Sequence, residues 1–312
     1  MTIRLGVLMD PIAHINPKKD SSFALLLAAQ RRGWSIFYME PTDLLLNDNG
    51  LQAYLRALTV CDHEQNWFTL GAPQLCPLQD LQCILMRQDP PVDRLYLHVT
   101  QLLALAEASG VRVVNRPQSL RDYNEKLFAL AFPGCCPPTL VTQSKQAATE
   151  FLAKQQDVIV KPLDGMGGEA IFRLADHDPN KQVVFETLMA RPERYFLLQR
   201  YIAEIQQGDK RILMVNGEPI PYALARLPAE GETRANLAVG GTGVVQPLTD
   251  RDYWICQQIG PRLREKGLLF VGLDVIGDYL TEINITSPTG IRELEAQCGL
   301  GISDKILDSF QL

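Results

Sequence analysis

No segment of this sequence is apolar for long enough to span a bilayer. Its first residues, Met1-Thr-Ile-Arg-Leu-Gly-Val-Leu-Met9, lack the charged lead, apolar core and small-residue cleavage site of a signal peptide. A cytoplasmic protein without membrane association is the expectation. The seven cysteines are odd in number and include no CxxC pair, so neither a disulfide framework nor a zinc site is indicated. Positive charge is in deficit, with 30 Lys and Arg against 36 Asp and Glu and a formal net charge of −6. That balance argues against broad nucleic-acid binding and requires any anionic ligand to be met by locally placed Arg and Lys. No GxGxxG follows the first apolar stretch and no GxxxxGK[ST] occurs anywhere, which excludes a dinucleotide fingerprint and a Walker A loop. There is no Ser-His-Asp or Cys-His arrangement, no internal repeat and no low-complexity tract. His14 on its own names no reaction.

What is present is a chain of 312 residues, enough for two or three domains. A buried strand over 3–9, an amphipathic helix over 20–32 and a strand over 34–39 read as a βαβ-like unit. A strand over 81–86, a helix over 95–108 and a strand over 111–115 continue the alternation. A small doubly wound sheet is predicted, with ligands off the carboxyl ends of its strands, where the loops at Asp10 and Arg87 sit. A helix with Ser119 as candidate cap is predicted to run from Pro117 to just before Phe132-Pro-Gly134. The stretch 47–75 carries no placeable motif, nor does the end beyond Gly299.

The second half reads as strands, hairpins and glycine-rich loops. A strand over 157–162 ends in Lys161-Pro162 and is followed by Leu163-Asp-Gly165-Met166-Gly167-Gly168, whose backbone N–H groups can approach phosphate oxygens, though such a loop is also an ordinary hairpin. A strand over 195–202 precedes Gly208-Asp-Lys-Arg211, in which Arg211 faces an anion or pairs with an acidic neighbour, and Asn216-Gly217 signals a hairpin. The stretch 227–246 is glycine-rich, contains Arg234 and is read as a loop, with an active-site lid as its functional reading. After a helix over 249–266, the run 268–285 predicts a hairpin turning at Gly277-Asp278. Glu282 and Asn284, two apart, share a strand face, and Asp274 comes opposite them if the register permits. Asp, Glu and Asn form a set of hard oxygen donors suited to Mg²⁺, or else the wet face of an antiparallel sheet.

The order of these features is specific, and with it the sequence resembles the ATP-grasp superfamily. Met9-Asp-Pro-Ile, Lys19-Asp-Ser-Ser, Arg87-Gln-Asp-Pro-Pro, Lys161-Pro-Leu-Asp-Gly-Met-Gly-Gly, Gly231-Glu-Thr-Arg and Thr281-Glu-Ile-Asn-Ile-Thr-Ser-Pro-Thr look like the bacterial glutathione synthetases. The resemblance implies an α/β (α+β overall) ATP-grasp fold. Its parts would be an N-terminal substrate domain (1–122), a central domain with the glycine-rich loop (123–202) and a C-terminal metal-binding domain with a lid (203–312). It implies ATP-dependent ligation of γ-glutamylcysteine to glycine through an acyl phosphate, with two Mg²⁺ ions or Mn²⁺ in their place. Lys126, Lys161, the loop 165–168, Gln199, Tyr201, Ile202 and Arg211 would meet ATP. Asp274, Glu282 and Asn284 would hold metal, and Asp10, Arg87, Arg234, Ser287 and Arg292 the other substrates, Arg211 and Arg234 being catalytic. A homo-oligomer, a tetramer by likeness, is implied. Another carboxylate–amine ligase of the superfamily, or a non-catalytic ATP-binding module, are the alternative readings.

Overall fold

The computed structural model describes residues 2–164, 170–189, 195–227 and 242–312. The loop 165–168, Arg234 and most of the predicted lid lie outside the described residues.

Strands β1 (Arg4–Leu8), β2 (Ser35–Met39), β3 (Leu44–Asn47), β4 (Gly50–Val60), β5 (Phe68–Leu70), β6 (Gln74–Pro77), β7 (Cys83–Met86) and β8 (Arg112–Val114) make the first sheet, along the path β3-β4-β2-β1-β7-β8. β2, β1, β7 and β8 are mutually parallel, as the predicted alternation requires. Helix α1 (Ser21–Arg31) starts where Asp20 accepts the Phe23 N–H at 2.7 Å, and α2 (Arg94–Ala108) where Asp93 accepts that of Tyr96. The stretch without a motif is the antiparallel extension β3–β6, gathered around β4.

The helix predicted from Pro117 is two: α3 (Pro117–Asp122) and α4 (Glu125–Ala129). Asn124 breaks the run by taking an extended backbone and accepting the N–H groups of Lys126 and Leu127. Ser119 is not a cap; its hydroxyl donates to the Lys266 carbonyl.

Strand β9 (Thr139–Thr142), helix α5 (Lys145–Gln155), strands β10 (Asp157–Pro162) and β11 (Phe172–Ala175), helix α6 (Lys181–Met189) and strand β12 (Phe196–Arg200) follow, with an antiparallel sheet in the order β11-β10-β12-β9. The last sheet runs β15 (Thr242–Pro247), β14 (Glu218–Leu227), β13 (Asp209–Val215), β16 (Phe270–Ile276), β17 (Tyr279–Asn284), all antiparallel. Leu227 and 242–246, expected in the lid, are strand residues of β14 and β15, where backbone pairing overrides the weak apolar signal. The predicted turn at Asn216-Gly217 has positive φ at both positions, as a two-residue hairpin requires. Helix α7 (Asp250–Glu265) covers one face of this sheet, and the buried Lys210–Asp252 ion pair joins them. Helices α8 (Ile291–Cys298) and α9 (Ile302–Asp308) close the chain against α1, through Arg32–Asp304 at 2.8 Å.

One buried amide ties the first sheet to the last. Asn115, just past β8, donates to the carbonyls of Phe270 and Ile285 at 2.8 and 2.7 Å and accepts the Phe270 N–H at 3.0 Å. Asn115→Ala leaves all three backbone groups without that partner, and a loss of about 2–4 kcal/mol is expected. Denaturant midpoints check this, and an unchanged midpoint would contradict the stapling role.

Candidate active site

In an antiparallel sheet, residues directly opposite share a face. Asp209 and Arg211 are two apart on β13. Arg226 lies opposite Asp209, Asp274 opposite Arg211, Glu282 opposite Asp274, and Asn284 opposite Gly272. All therefore stand on the face turned away from α7. The hairpin register does bring Asp274 opposite Glu282, by way of an irregularity between Asp274 and Val275.

Charge on this face is densely paired. Arg211 grips Asp274 with two nitrogens, at 2.6 and 3.1 Å, so it pairs with an acidic neighbour on the sheet. Arg226 bridges Asp274, at 3.0 Å, and Asp209. Gly272 makes room for this: a Cβ there would come 2.9 Å from Arg211 Cδ. Burial alone would raise the Asp274 carboxyl, but Arg211 and Arg226 reverse that and hold it well below the usual carboxylate range. Glu282 is likewise lowered against its burial by Lys126 and Lys161, with Lys126 Nζ at 3.0 Å.

Asp209 goes the other way. Burial pushes its pKa up to about 6 from an ordinary 3.8, with Asp274 adding and Arg226 opposing. A carboxyl whose folded pKa is raised binds its proton more tightly in the folded chain, so its contribution to stability is fullest below 3.8 and is lost as pH rises through about 6. Asp209→Asn is therefore expected to gain stability relative to the parent as pH rises from about 4 to about 7, by an amount on the order of 2–3 kcal/mol over the whole range. Denaturation midpoints across that range check it; a difference independent of pH would contradict it.

The two lysines arrive from other elements. Lys126 is on α4, which Glu125 fastens to the end of β17 by accepting the N–H groups of Ile285 and Thr286 at 2.8 and 3.1 Å. Asn124, the cap of α4, also donates to the Leu163 carbonyl at 3.0 Å, just before the glycine-rich loop. Lys161 ends β10, buried, and its pKa is lowered by that burial against the pull of Glu282. It shares a sheet face with Gln199, since Lys161 lies opposite Leu197 and Ile159 opposite Gln199. Gln199 is buried and donates to Thr139 Oγ1 at 3.1 Å; Ile202 is buried, and Arg173 stacks 3.7 Å above the Tyr201 ring.

A second group forms at the carboxyl ends of β1 and β7. Arg87 donates from Nε to Ser22 Oγ at 2.9 Å and from Nη2 to the Pro288 carbonyl at 3.0 Å. Asp10 accepts the Asp89 N–H at 2.7 Å, and the Ser287 hydroxyl meets the Asp89 carboxylate. Asp10, Arg87 and Ser287 are thus brought together. Arg292 is not: it pairs with Asp62 at 2.7 Å, beyond β4. The next carbonyl of the same loop, that of Thr289, accepts from Arg211 Nη1 at 3.3 Å, so two arginines from different sheets hold successive carbonyls.

Asp209, Arg226, Asn124, Glu125 and Asp89 were not singled out from sequence. Asp209 carried a usable signal in its spacing alone, two residues before Arg211. Arg226 carried none, because only the register of β14 brings it across.

The chain was compared with known proteins. Models described as prokaryotic glutathione synthetase, N-terminal domain, and prokaryotic glutathione synthetase, ATP-grasp domain, match residues 3–121 and 125–299. The chain is 56% identical to the glutathione synthetase of Pseudomonas aeruginosa over 309 residues, covering 99% of this chain and 98% of that one. It is 53% identical to the glutathione synthetase of Escherichia coli K12, also over 309 residues, with the same 99% and 98% coverage. Among solved structures, D-cycloserine synthetase DcsG matches with a TM-score of 0.68 at 11% identity, covering 98% of this chain and 99% of that one. The ATP-grasp ligase PsnB complexed with minimal precursor matches with a TM-score of 0.64 at 16% identity, covering 100% and 99%. These two likenesses carry the fold alone.

Proposed function

Because this chain belongs to the prokaryotic glutathione synthetase family, whose ATP-grasp ligases make glutathione at the expense of ATP, we propose specific roles for its two polar groups. The charged face of β13, β14, β16 and β17 is the phosphoryl-transfer centre, and the group at Arg87 receives γ-glutamylcysteine. The observation that carries the reading is the charge inventory. Four buried cations, Lys126, Lys161, Arg211 and Arg226, converge on Asp209, Asp274 and Glu282, with Glu125 a further carboxyl beside Glu282. Such a concentration of buried cations in a protein of net charge −6 suits a polyphosphate.

The donor set fits Mg²⁺. Asp274 and Glu282 are opposite in register, and Asn284 donates its amide N–H to the Gly272 carbonyl at 3.3 Å, which leaves its oxygen for another partner. Among the described residues no group of three or more His, Cys, Asp or Glu side chains is placed to hold a metal unaided. Two carboxylates and an amide match an ion that takes its remaining ligands from phosphate and water. Bound there with ATP, Mg²⁺, or Mn²⁺ in its place, neutralises phosphate oxygens and orients the γ-phosphoryl group.

A carboxylate is a poor electrophile, so the cysteinyl carboxylate takes the γ-phosphoryl group and ADP leaves. The glycine amine then attacks the acyl phosphate, forming the amide and expelling inorganic phosphate. Arg211, Arg226 and the lysines bear the charge that develops on the transferring group, and the α4 and Pro288–Thr289 anchors keep them in place. Arg234 and the loop 165–168 keep their expected roles in this proposal, as do the domain limits 1–122, 123–202 and 203–312. A cytoplasmic homo-tetramer is likewise retained, its subunit number to be read by sedimentation. The function is tested by sustained, steady-state ADP release: multiple turnovers require γ-glutamylcysteine and glycine together, and an equal steady-state rate with either omitted would overturn it.

A further inference from the structure

On β17 the buried side chains of Leu280 and Ile283 are three residues apart, yet both pack into the core on the α7 side of the sheet. A regular strand, whose side chains alternate with period two, cannot turn residues three apart to one face. The register resolves this. Val275 lies opposite Leu280 and Asp274 opposite Glu282, so Thr281 is an extra residue without a place in the pairing. Regular pairing from the turn would instead set Thr281 opposite Asp274 and Glu282 opposite Leu273, with the Glu282 carboxylate in the apolar core and Ile283 on the charged face. An extra residue of this kind disrupts the ladder locally and re-aims the side chains beyond it. Thr281 is buried, and its hydroxyl donates to the Asp274 carbonyl at 3.1 Å, across the irregularity itself. On either side β17 is anchored from outside the sheet, by the Leu280 N–H on the Cys135 carbonyl and by the Ile285 N–H on Glu125, both at 2.8 Å. Between these anchors the Thr281 hydroxyl bonds the residue whose carboxylate faces Glu282.

We propose that Thr281 is a positioning residue for the metal-binding pair: its hydroxyl locks the bulge, and the bulge sets Glu282 opposite Asp274, where Lys126 Nζ meets it at 3.0 Å. The inference rests on the reading above that Asp274 and Glu282 hold Mg²⁺. The hydroxyl is committed to a backbone carbonyl, so Thr281 acts on the ion through Glu282 and not by contact. What the position requires is a donor. Valine matches threonine in shape and in strand preference but leaves the Asp274 carbonyl without that bond, and the turn then favours the regular register that takes Glu282 out of the site.

The test uses the full-length enzyme with Mn²⁺ as probe, its binding read from water-proton relaxation in the presence of a non-hydrolysable ATP analogue and corrected for the analogue alone. Thr281→Val is expected to weaken Mn²⁺ binding by about tenfold or more, the range for residues that orient a ligand, while the KM for γ-glutamylcysteine stays within about twofold. Thr281→Ser and Thr281→Ala both lack the methyl group, so the difference between them isolates the hydroxyl even where valine is not accommodated. The serine variant should stay within about threefold of the parent and the alanine variant should follow valine. In metal-free protein, amide hydrogen exchange over 280–284 should quicken by about tenfold or more in the alanine variant and not in the serine variant. Thr281→Ala with Mn²⁺ binding and exchange like the parent, or Thr281→Ser impaired as much as Thr281→Ala, overturns the role of Thr281. If Glu282→Gln binds Mn²⁺ as the parent does, it is the underlying assignment of Glu282 that fails, and the positioning role falls with it.

Discussion

Arg211→Met is expected to lower kcat by about 10²–10³-fold, the effect of removing one preorganised charge from a transition state that accumulates negative charge. Methionine keeps bulk over Gly272 but cannot pair with Asp274 or hold the Thr289 carbonyl. Arg226 still reaches Asp274 at 3.0 Å, so that carboxylate is not left alone. The protein should therefore stay folded while losing roughly 3 kcal/mol or more, the range for breaking a buried pair. Arg211→Lys restores the charge without the planar fork and should recover only part of the rate. Single-turnover rates at saturating substrates separate this from weakened binding; a kcat within about threefold of the parent would remove Arg211 from the phosphoryl-transfer centre.

Glu282→Gln carries the second large effect. Glutamine is nearly isosteric and keeps the strand, but it is a weaker ligand for a hard cation and frees Lys126 from its ion pair at 3.0 Å. The Mg²⁺ concentration that supports half-maximal rate should rise by about 10- to 100-fold, and the rate at saturating Mg²⁺ should stay depressed. The buried lysine loses its counter-charge too, so some stability is lost. Titrating Mg²⁺ at fixed ATP gives the answer, and parent-like activity at limiting Mg²⁺ would end the assignment of Glu282 as a ligand.

Much of the framework was legible because it rests on short-range physics. Period-two alternation and a Gly-Asp turn fix the existence of the β16–β17 hairpin, but regular pairing from that turn would set Asp274 opposite Thr281, and only an irregularity between Asp274 and Val275, invisible in the pattern, brings it opposite Glu282. The start of α1 near Asp20 and the turn at Asn216-Gly217 are equally local. Residues 47–75 resisted for a structural reason. β4 pairs with β3 and β6 over its first half and with β2 and β5 over its second, so its buried residues shift from Ala53 and Leu55 to Leu58 and Val60. No single period describes such a strand. The break at Asn124 was hidden because its neighbours favour helix on both sides, and the capping side chain decides the matter. The Asp209–Arg226–Asp274 network depends on two registers at once, and strand faces alone do not reveal which cations cross to which carboxylates.

The central claim is that the charged face transfers a phosphoryl group to the dipeptide carboxylate before glycine attacks. γ-Glutamylcysteine labelled with ¹⁸O in its cysteinyl carboxyl group tests it directly, with the released inorganic phosphate analysed by mass. Passage through an acyl phosphate moves one labelled oxygen into each phosphate formed in step with glutathione. Phosphate free of label, released at the same rate, would contradict the mechanism assigned to this face.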